Sequence, residues 1–199
     1  REGPSRAGAA GRGGPSPADP HRTLQDKLKE APLNVTVDAI RTLREETGAG
    51  IMDCKKALLD AGGDVAKARE ALRQKGLALA AKKADRETRQ GLVETYAHGG
   101  GRIGAMVEVN CETDFVARTD EFKALAHDLA LQIAGMNPRY LSPADLPPGD
   151  PAIPAEVCLL AQPFIRDTNK TVQDVVTEVI ARLGENIRVR RFARFELGD

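Results

Sequence analysis

The 199-residue chain has no tryptophan and only 4% aromatic residues. That excludes a core built on large rings and favours small, Ala- and Val-rich helices beside a modest sheet. Its three cysteines, Cys54, Cys111 and Cys158, are widely spaced and form no Cys-x-x-Cys pair. Neither a disulfide framework nor a zinc site follows, and a reducing, intracellular setting is the simplest expectation. No sign of charge is in excess, since 29 Lys and Arg face 29 Asp and Glu. The chain therefore has no general attraction to nucleic acid or to an anionic membrane surface. No apolar run reaches membrane-spanning length, and no leader pattern opens the chain.

Signatures of catalysis are lacking as well. His21, His98 and His127 lie far apart and accompany neither a Gly-x-Ser-x-Gly elbow nor a His-Glu-x-x-His helix, so surface or packing roles suit them. Gly48-Ala49-Gly50 has no Lys-Ser/Thr after it and is not a phosphate loop. Gly99-x-Gly101-x-x-Gly104 matches the phosphate-cradling pattern, but a strand follows it where a helix is needed, and a hairpin turn is the better reading. Asp114-Phe115-Val116 lacks the glycine of a kinase Asp-Phe-Gly, and no His-Arg-Asp loop accompanies it. Cys54 sits on an apolar helix face as a small core residue. The expectation is a protein without catalytic residues, metal ligands or cofactor, acting by binding.

Hydrophobic residues at 41% suffice for a core, and the length allows one ordinary domain or a small one plus a medium one. Residues 1–34 read as a disordered or accessory tail, because the opening is packed with Gly, Pro, Ala and Ser and buries too little to fold alone. The first residue is not Met, which fits a processed end, an expression remnant or an organelle transit peptide. Arg and Ser suit the last, whereas Glu2 and Asp19 oppose it. Residues 35–90 carry 12 basic against 9 acidic residues, and residues 91–199 carry 11 against 16. A mildly basic front and acidic back suit contact between proteins.

From residue 35 the apolar period is helical. Val37, Ile40 and Leu43 mark a first helix, broken by Gly48-Ala49-Gly50. Ile51, Cys54, Leu58 and Ala61 line a second, stopped by Gly62-Gly63. Asp64 caps a third, with Val65, Ala68 and Leu72 on one face and Gly76 as its stop. Residues 77–90 have helical propensity but a thin apolar face, as in a helical connector. Beyond Gly91 the period becomes two. Residues 92–98 and 103–110 form a hairpin around Gly99-Gly100-Gly101, with Ile103, Ala105, Val107 and Val109 on one face. A helix follows with Phe122, Leu125, Ala126, Leu129 and Ile133, ending near Gly135 and Pro138. The Pro-rich residues 137–154 read as loop. Thr171 and Asp174 open a further helix carrying Val172, Val175, Val176, Val179 and Leu183, stopped by Gly184. Residues 187–197 alternate, placing Ile187, Val189, Ala193, Phe195 and Leu197 on one face and Arg188, Arg190 and Arg194 on the other.

Two features resist a purely structural reading. Phe115 and Val116 fall in what should be a solvent-facing connection after the second strand; either Phe115 tucks under the next helix as a staple or it stands free. Ile51 and Met52 are adjacent, so only one can easily face the bundle core.

Longer stretches surround both features. The head reads Leu43-Arg44-Glu45-Glu46-Thr47-Gly48-Ala49-Gly50-Ile51-Met52-Asp53-Cys54-Lys55-Lys56-Ala57-Leu58, with Ala80-Ala81-Lys82-Lys83-Ala84 beyond it. The body contains Glu108-Val109-Asn110-Cys111-Glu112-Thr113-Asp114-Phe115-Val116-Ala117, then Gln162-Pro163-Phe164 and Gly184-Glu185-Asn186-Ile187-Arg188-Val189-Arg190-Arg191-Phe192. In this order they resemble the translation elongation factor Ts family, in its short, single-core, bacterial-type form, over residues 35–197 with one interruption. The resemblance implies an α+β fold. Its parts would be a three-helix, ubiquitin-associated-like head (35–76), a helical connector (77–90) and an α+β, dimerisation-type core (91–199) with a small antiparallel sheet packed by helices. It implies a cytoplasmic guanine-nucleotide exchange factor that binds elongation factor Tu, with no direct nucleic-acid or membrane contact, and that pairs as a homodimer. Arg44, Ile51 and Met52 match the positions by which the head docks. Thr113, Asp114, Phe115 and Val116 match the loop that enters the GTPase near its magnesium site. The chain departs from the family between Gly135 and Gln162, where further helices and a Glu-Gly-Arg segment give way to Pro-rich loop. The rival from another class is an adaptor whose helical head binds ubiquitin-like or helical partners; it explains Ile51-Met52 but leaves residues 113–116 without a role.

Overall fold

A computed structural model describes residues 35–198; the expected tail, residues 1–34, lies outside the described residues. Helix α1 (Val37–Thr47) starts at Thr36, whose hydroxyl accepts the Ala39 N–H at 3.1 Å. It ends on Gly48 at φ 65°, where the left-handed cap lets the Gly48 N–H reach the Arg44 carbonyl. Helix α2 (Ile51–Asp60) follows at once, and α3 (Val65–Lys83) is capped by the Asp64 carboxylate accepting the Lys67 N–H. Leu43, Cys54, Ala57, Leu58 and Ala68 are buried together as a separate small core, with Ile40, Ala61, Val65 and Leu72 against it. Three expectations fail here. Val37 is exposed, so the α1 stripe begins at Ile40. Ile51 is exposed too, and α2 packs through Cys54, Ala57, Leu58 and Ala61. Gly76 does not stop α3, which runs on to Lys83. Gly76 is buried and lies against Ala181 of a later helix, and that packing offsets glycine's poor helix propensity. Of the expected connector, only residues 77–83 are helical.

The body is an antiparallel sheet with helices on one face. Strands β1 (Gln90–His98) and β2 (Ile103–Cys111) pair around Gly99, Gly100 and Gly101, all with positive φ. Two helices follow β2, the single turn α4 (Asp114–Ala117) and the long α5 (Asp120–Met136). The last strand, β5 (Ile187–Glu196), adds to the other side of β2, giving the order β1-β2-β5. Ala105, Val107 and Val109 of β2 are buried against Phe122, Leu125, Leu129 and Ile133 of α5, as the period-two and helical patterns require. Helix α7 (Val172–Leu183) completes the layer, opened by a capping box between Thr171 and Asp174 and closed at Gly184.

β5 departs from simple alternation. Val109 pairs with Val189 but Glu108 pairs with Arg191, so Arg190 is an extra residue in a β-bulge. The bulge exchanges the faces: Ile187 and Val189 point inward, then Phe192 and Arg194 take over that side, while Ala193, Phe195 and Leu197 are exposed. The expectation that those last three share a face with Ile187 and Val189, and that Arg194 lies opposite, is therefore wrong.

The Pro-rich segment is more ordered than loop. It holds a 3-10 turn at Pro143–Asp145 and a one-turn helix α6 (Pro154–Val157), and the Arg139 and Tyr140 N–H groups donate to the Val157 carbonyl at 2.8 and 3.0 Å. A short ribbon follows, β3 (Pro163–Phe164) with β4 (Asp167–Thr171). Buried Gln132 of α5 donates to Gln162 Oε1 at 3.1 Å, and Gln162 donates to the Met136 and Glu156 carbonyls. Gln162-Pro163-Phe164 is thus a structural joint with its buried amides satisfied.

Candidate partner-binding surface

After β2 the chain turns through Glu112 and Thr113 into α4. Thr113 is the N-cap, its hydroxyl accepting the Val116 N–H at 3.4 Å. One helical turn sends its two large apolar residues in opposite directions. Val116 is 9% exposed and joins the body core, whereas Phe115 is 80% exposed. The staple position belongs to Val116, and the Phe115 ring stands free. Asp114 pairs with Arg118 at 2.8 Å on the partly exposed side of the turn, an interaction of little energetic weight in water.

The turn is held from below. Glu185, just past the end of α7, accepts the Glu112 and Thr113 N–H groups through Oε2 at 3.1 and 3.0 Å and the Thr113 hydroxyl through Oε1 at 2.6 Å. Glu112 returns the contact, its Oε1 accepting the Asn186 N–H at 2.6 Å. Asn186 is buried and donates to the Arg86 and Ala84 carbonyls at 2.9 and 3.3 Å, at the end of α3. Cys111 closes the floor, its thiol donating to the Thr113 carbonyl at 3.1 Å. Burial, with Glu185 adding to it, pushes that thiol up to about 11, so it is a neutral donor and not a nucleophile. Sequence reasoning missed Glu112, Glu185 and Asn186 as positioning residues. The available signal was a run of polar residues between a helix-stopping Gly184 and the apolar start of β5.

On the head, Arg44 occupies the last turn of α1, and Ile51 and Met52 open α2 after Gly50. Ile51 is 54% and Met52 73% exposed, so both apolar side chains lie at the surface. Arg44 is exposed and has no ion-pair partner among the described residues. The structure therefore forms two groups, Arg44, Ile51 and Met52 around the α1–α2 junction and residues 113–116 on α4, and no hydrogen bond joins them among the described residues.

A cleft of about 850 Å³ lies between head and body. Its cations are paired: Arg69 with Glu46 at 2.5 Å, Lys75 with Asp53 at 2.6 Å, Lys170 with Glu178 at 2.8 Å, and Arg182 with Glu121. Such a lining offers no unbalanced positive charge to a phosphate. His98 meets the Tyr96 hydroxyl and His127 meets Glu94, both at the surface, while His21 lies outside the described residues. Among the described residues no three His, Cys, Asp or Glu side chains converge as a metal site, and no helix is long and apolar enough to cross a membrane.

Residues 33–150 match the family model described as Elongation factor TS. The chain belongs to the elongation factor Ts family. It is 51% identical to an elongation factor Ts of Carboxydothermus hydrogenoformans, over 83% of this chain and 90% of that one. To an elongation factor Ts of Caldanaerobacter subterraneus subsp. tengcongensis it is 50% identical, over 83% and 98%. A Thermoanaerobacter sp. (strain X514) elongation factor Ts is 49% identical, over 83% and 96%. These alignments run over 195 positions although 83% of 199 residues enter them, so a few tens of positions of the relatives face no residue here. Membership places the chain among the factors of translation elongation in protein biosynthesis.

Proposed function

We propose that this elongation factor Ts chain is a cytoplasmic guanine-nucleotide exchange factor for elongation factor Tu, acting by binding and without covalent chemistry. The head (35–76) docks on the GTPase through Arg44, Ile51 and Met52, and the Thr113–Val116 turn enters near the magnesium site. The observation that carries this reading is Phe115, a large ring 80% exposed on a turn whose backbone is tied down. An exposed ring gains its burial energy only in a complex. If it fits only where the magnesium-holding loop has moved, it binds the nucleotide-loose state and, by linkage, weakens nucleotide binding by the same factor. Full burial of one Phe is worth roughly 1.5–3 kcal/mol, about one to two decades in an equilibrium. The head's contacts supply the rest. The adaptor reading uses Ile51 and Met52 but gives Phe115 nothing to do. The core (91–199) pairs with a second copy through the outer face of its sheet, where Val93, Met106 and Phe195 are exposed. Release of labelled GDP from elongation factor Tu with and without the chain tests the reading: acceleration is expected, and an unchanged rate with bound factor would overturn it.

A further inference from the structure

We infer that Glu185 is the positioning residue that aims the Phe115 turn and, resting on the exchange reading above, sets the rate of GDP release at saturation without touching the GTPase. Helix α4 is one turn long, too short to hold itself together, because a first helical turn orders several residues for one hydrogen bond. A ring pushed into a partner on such a turn would recoil unless the turn were anchored. Val116 supplies one anchor and the Glu185 carboxylate the other, gathering two backbone N–H groups and one hydroxyl. Bonds to an ionised acceptor are stronger than neutral ones. Glu185 also fixes the N-cap, because the Thr113 hydroxyl proton is committed to it and a lone pair is left for the Val116 N–H.

The anchor reaches further than the turn. Glu112 holds the Asn186 backbone, and Asn186 holds the carbonyls of Ala84 and Arg86. Ala84 caps α3, the longest helix of the head. Glu112, Glu185 and Asn186 therefore tie three segments at one point: the end of the head's helix, the Phe115 turn and the start of β5. Binding energy gathered at the α1–α2 junction reaches the ring through this joint, and a loose joint would spend it on reorienting the turn.

The test follows labelled GDP release from elongation factor Tu across a range of factor concentrations, with amide hydrogen exchange on the full chain. Glu185→Ala should lower the saturated rate by about tenfold while the half-saturating concentration moves less than about threefold, as for an interaction that matters mainly in the rearranged state. Glu185→Asp keeps the charge but withdraws it by one methylene and should fail similarly. Glu185→Gln keeps one acceptor oxygen for the two amides but loses the charge and turns an NH2 group toward the Thr113 hydroxyl, so its rate should fall between those of wild type and Glu185→Ala. The Glu112 and Thr113 amides should exchange faster in the Ala and Asp variants and less so in the Gln variant. A folded Glu185→Ala protein with the wild-type saturated rate overturns the inference, as does Glu185→Asp with that rate should the Ala variant not fold. A lowered rate in Glu185→Ala with both amides still protected overturns it too. Wild-type chain that leaves GDP release unchanged overturns the exchange reading and this inference with it, whereas an active wild type beside an unimpaired Glu185→Ala overturns this inference alone.

Discussion

Phe115 and Val116 are neighbours in sequence and opposites in burial, and substitutions at the two should separate accordingly. Phe115→Ala removes a ring that touches little of its own fold, so the melting temperature should stay close to wild type. Val116→Ala cuts into the body core and should cost roughly 1–3 kcal/mol. In exchange assays Phe115→Ala should slow GDP release at saturating factor with a modest loss of affinity. Met52→Asp and Ile51→Asp should do the converse, raising the concentration needed and sparing the saturated rate, because a charge in an apolar contact is desolvated without a partner. Both head side chains are exposed, so neither variant should melt early. Thermal melts beside the two kinetic parameters check all four variants. A well-folded Phe115→Ala protein with full exchange would sink the claim that this turn acts on the nucleotide.

Helices and strands were legible where a local signal and tertiary packing agreed. Thr171 with Asp174 announced α7, and three glycines between two alternating runs announced the β1–β2 hairpin. The failures have a common cause, contacts distant in sequence. Gly76 looked like a stop, but it has neither a left-handed φ nor a cap bond; it is the place where α3 approaches α7. The Arg190 bulge could not be read from β5 alone, because it exists only in register with Glu108 and Val109 of β2. The same holds for the candidate site. Phe115 stood out as an apolar residue in a connection, whereas Glu185 lies about seventy residues away and becomes visible only once its carboxylate meets the Thr113 amide. These glycine environments make a prediction of their own. A Cβ on Gly76 would sit 3.8 Å from Ala181 Cβ, an ordinary contact, so Gly76→Ala should stabilise the protein by about 0.5–1 kcal/mol through helix propensity. Gly48 has φ +65°, and a Cβ there would crowd the Arg182 side chain, so Gly48→Ala should destabilise. Paired thermal melts decide, and a lower melting temperature for Gly76→Ala would show that α3 and α7 already touch too closely for a methyl group.

At the scale of the whole molecule, among the described residues the sheet is covered on one face only. Helices α5 and α7 bury the inner side, while Val93, Met106 and Phe195 are 57%, 49% and 75% exposed on the outer one. The register places Thr95 opposite Met106, Met106 opposite Ala193, and Gly104 opposite Phe195, so small side chains flank Met106 and the exposed Phe195 ring on this surface. At one end Arg191 bonds Glu108 at 2.7 Å and holds its carboxyl below the usual range, with Arg190 adding to the effect. An apolar sheet face with a charged end suits a two-fold partner of the same kind, since two such sheets can stack about 10 Å apart with their side chains interleaved. β1 and β2 are nine residues long, which gives a face of roughly 30 by 15 Å. That is small beside the ~800 Å² per partner of a typical stable interface. The pairing should therefore be concentration-dependent, with dissociation in about the micromolar range. Sedimentation velocity across that range should show the mass of two chains giving way to one on dilution. Phe195→Asp should leave a folded monomer at every concentration, because a carboxylate on each copy would have to be desolvated against the apolar part of the facing sheet. A wild-type chain that stays monomeric when concentrated would refute the pairing. A Phe195→Asp protein that still dimerises would move it from the sheet's face to one of its edges, β1 or β5, where backbone hydrogen bonding and not side-chain burial would hold the copies together.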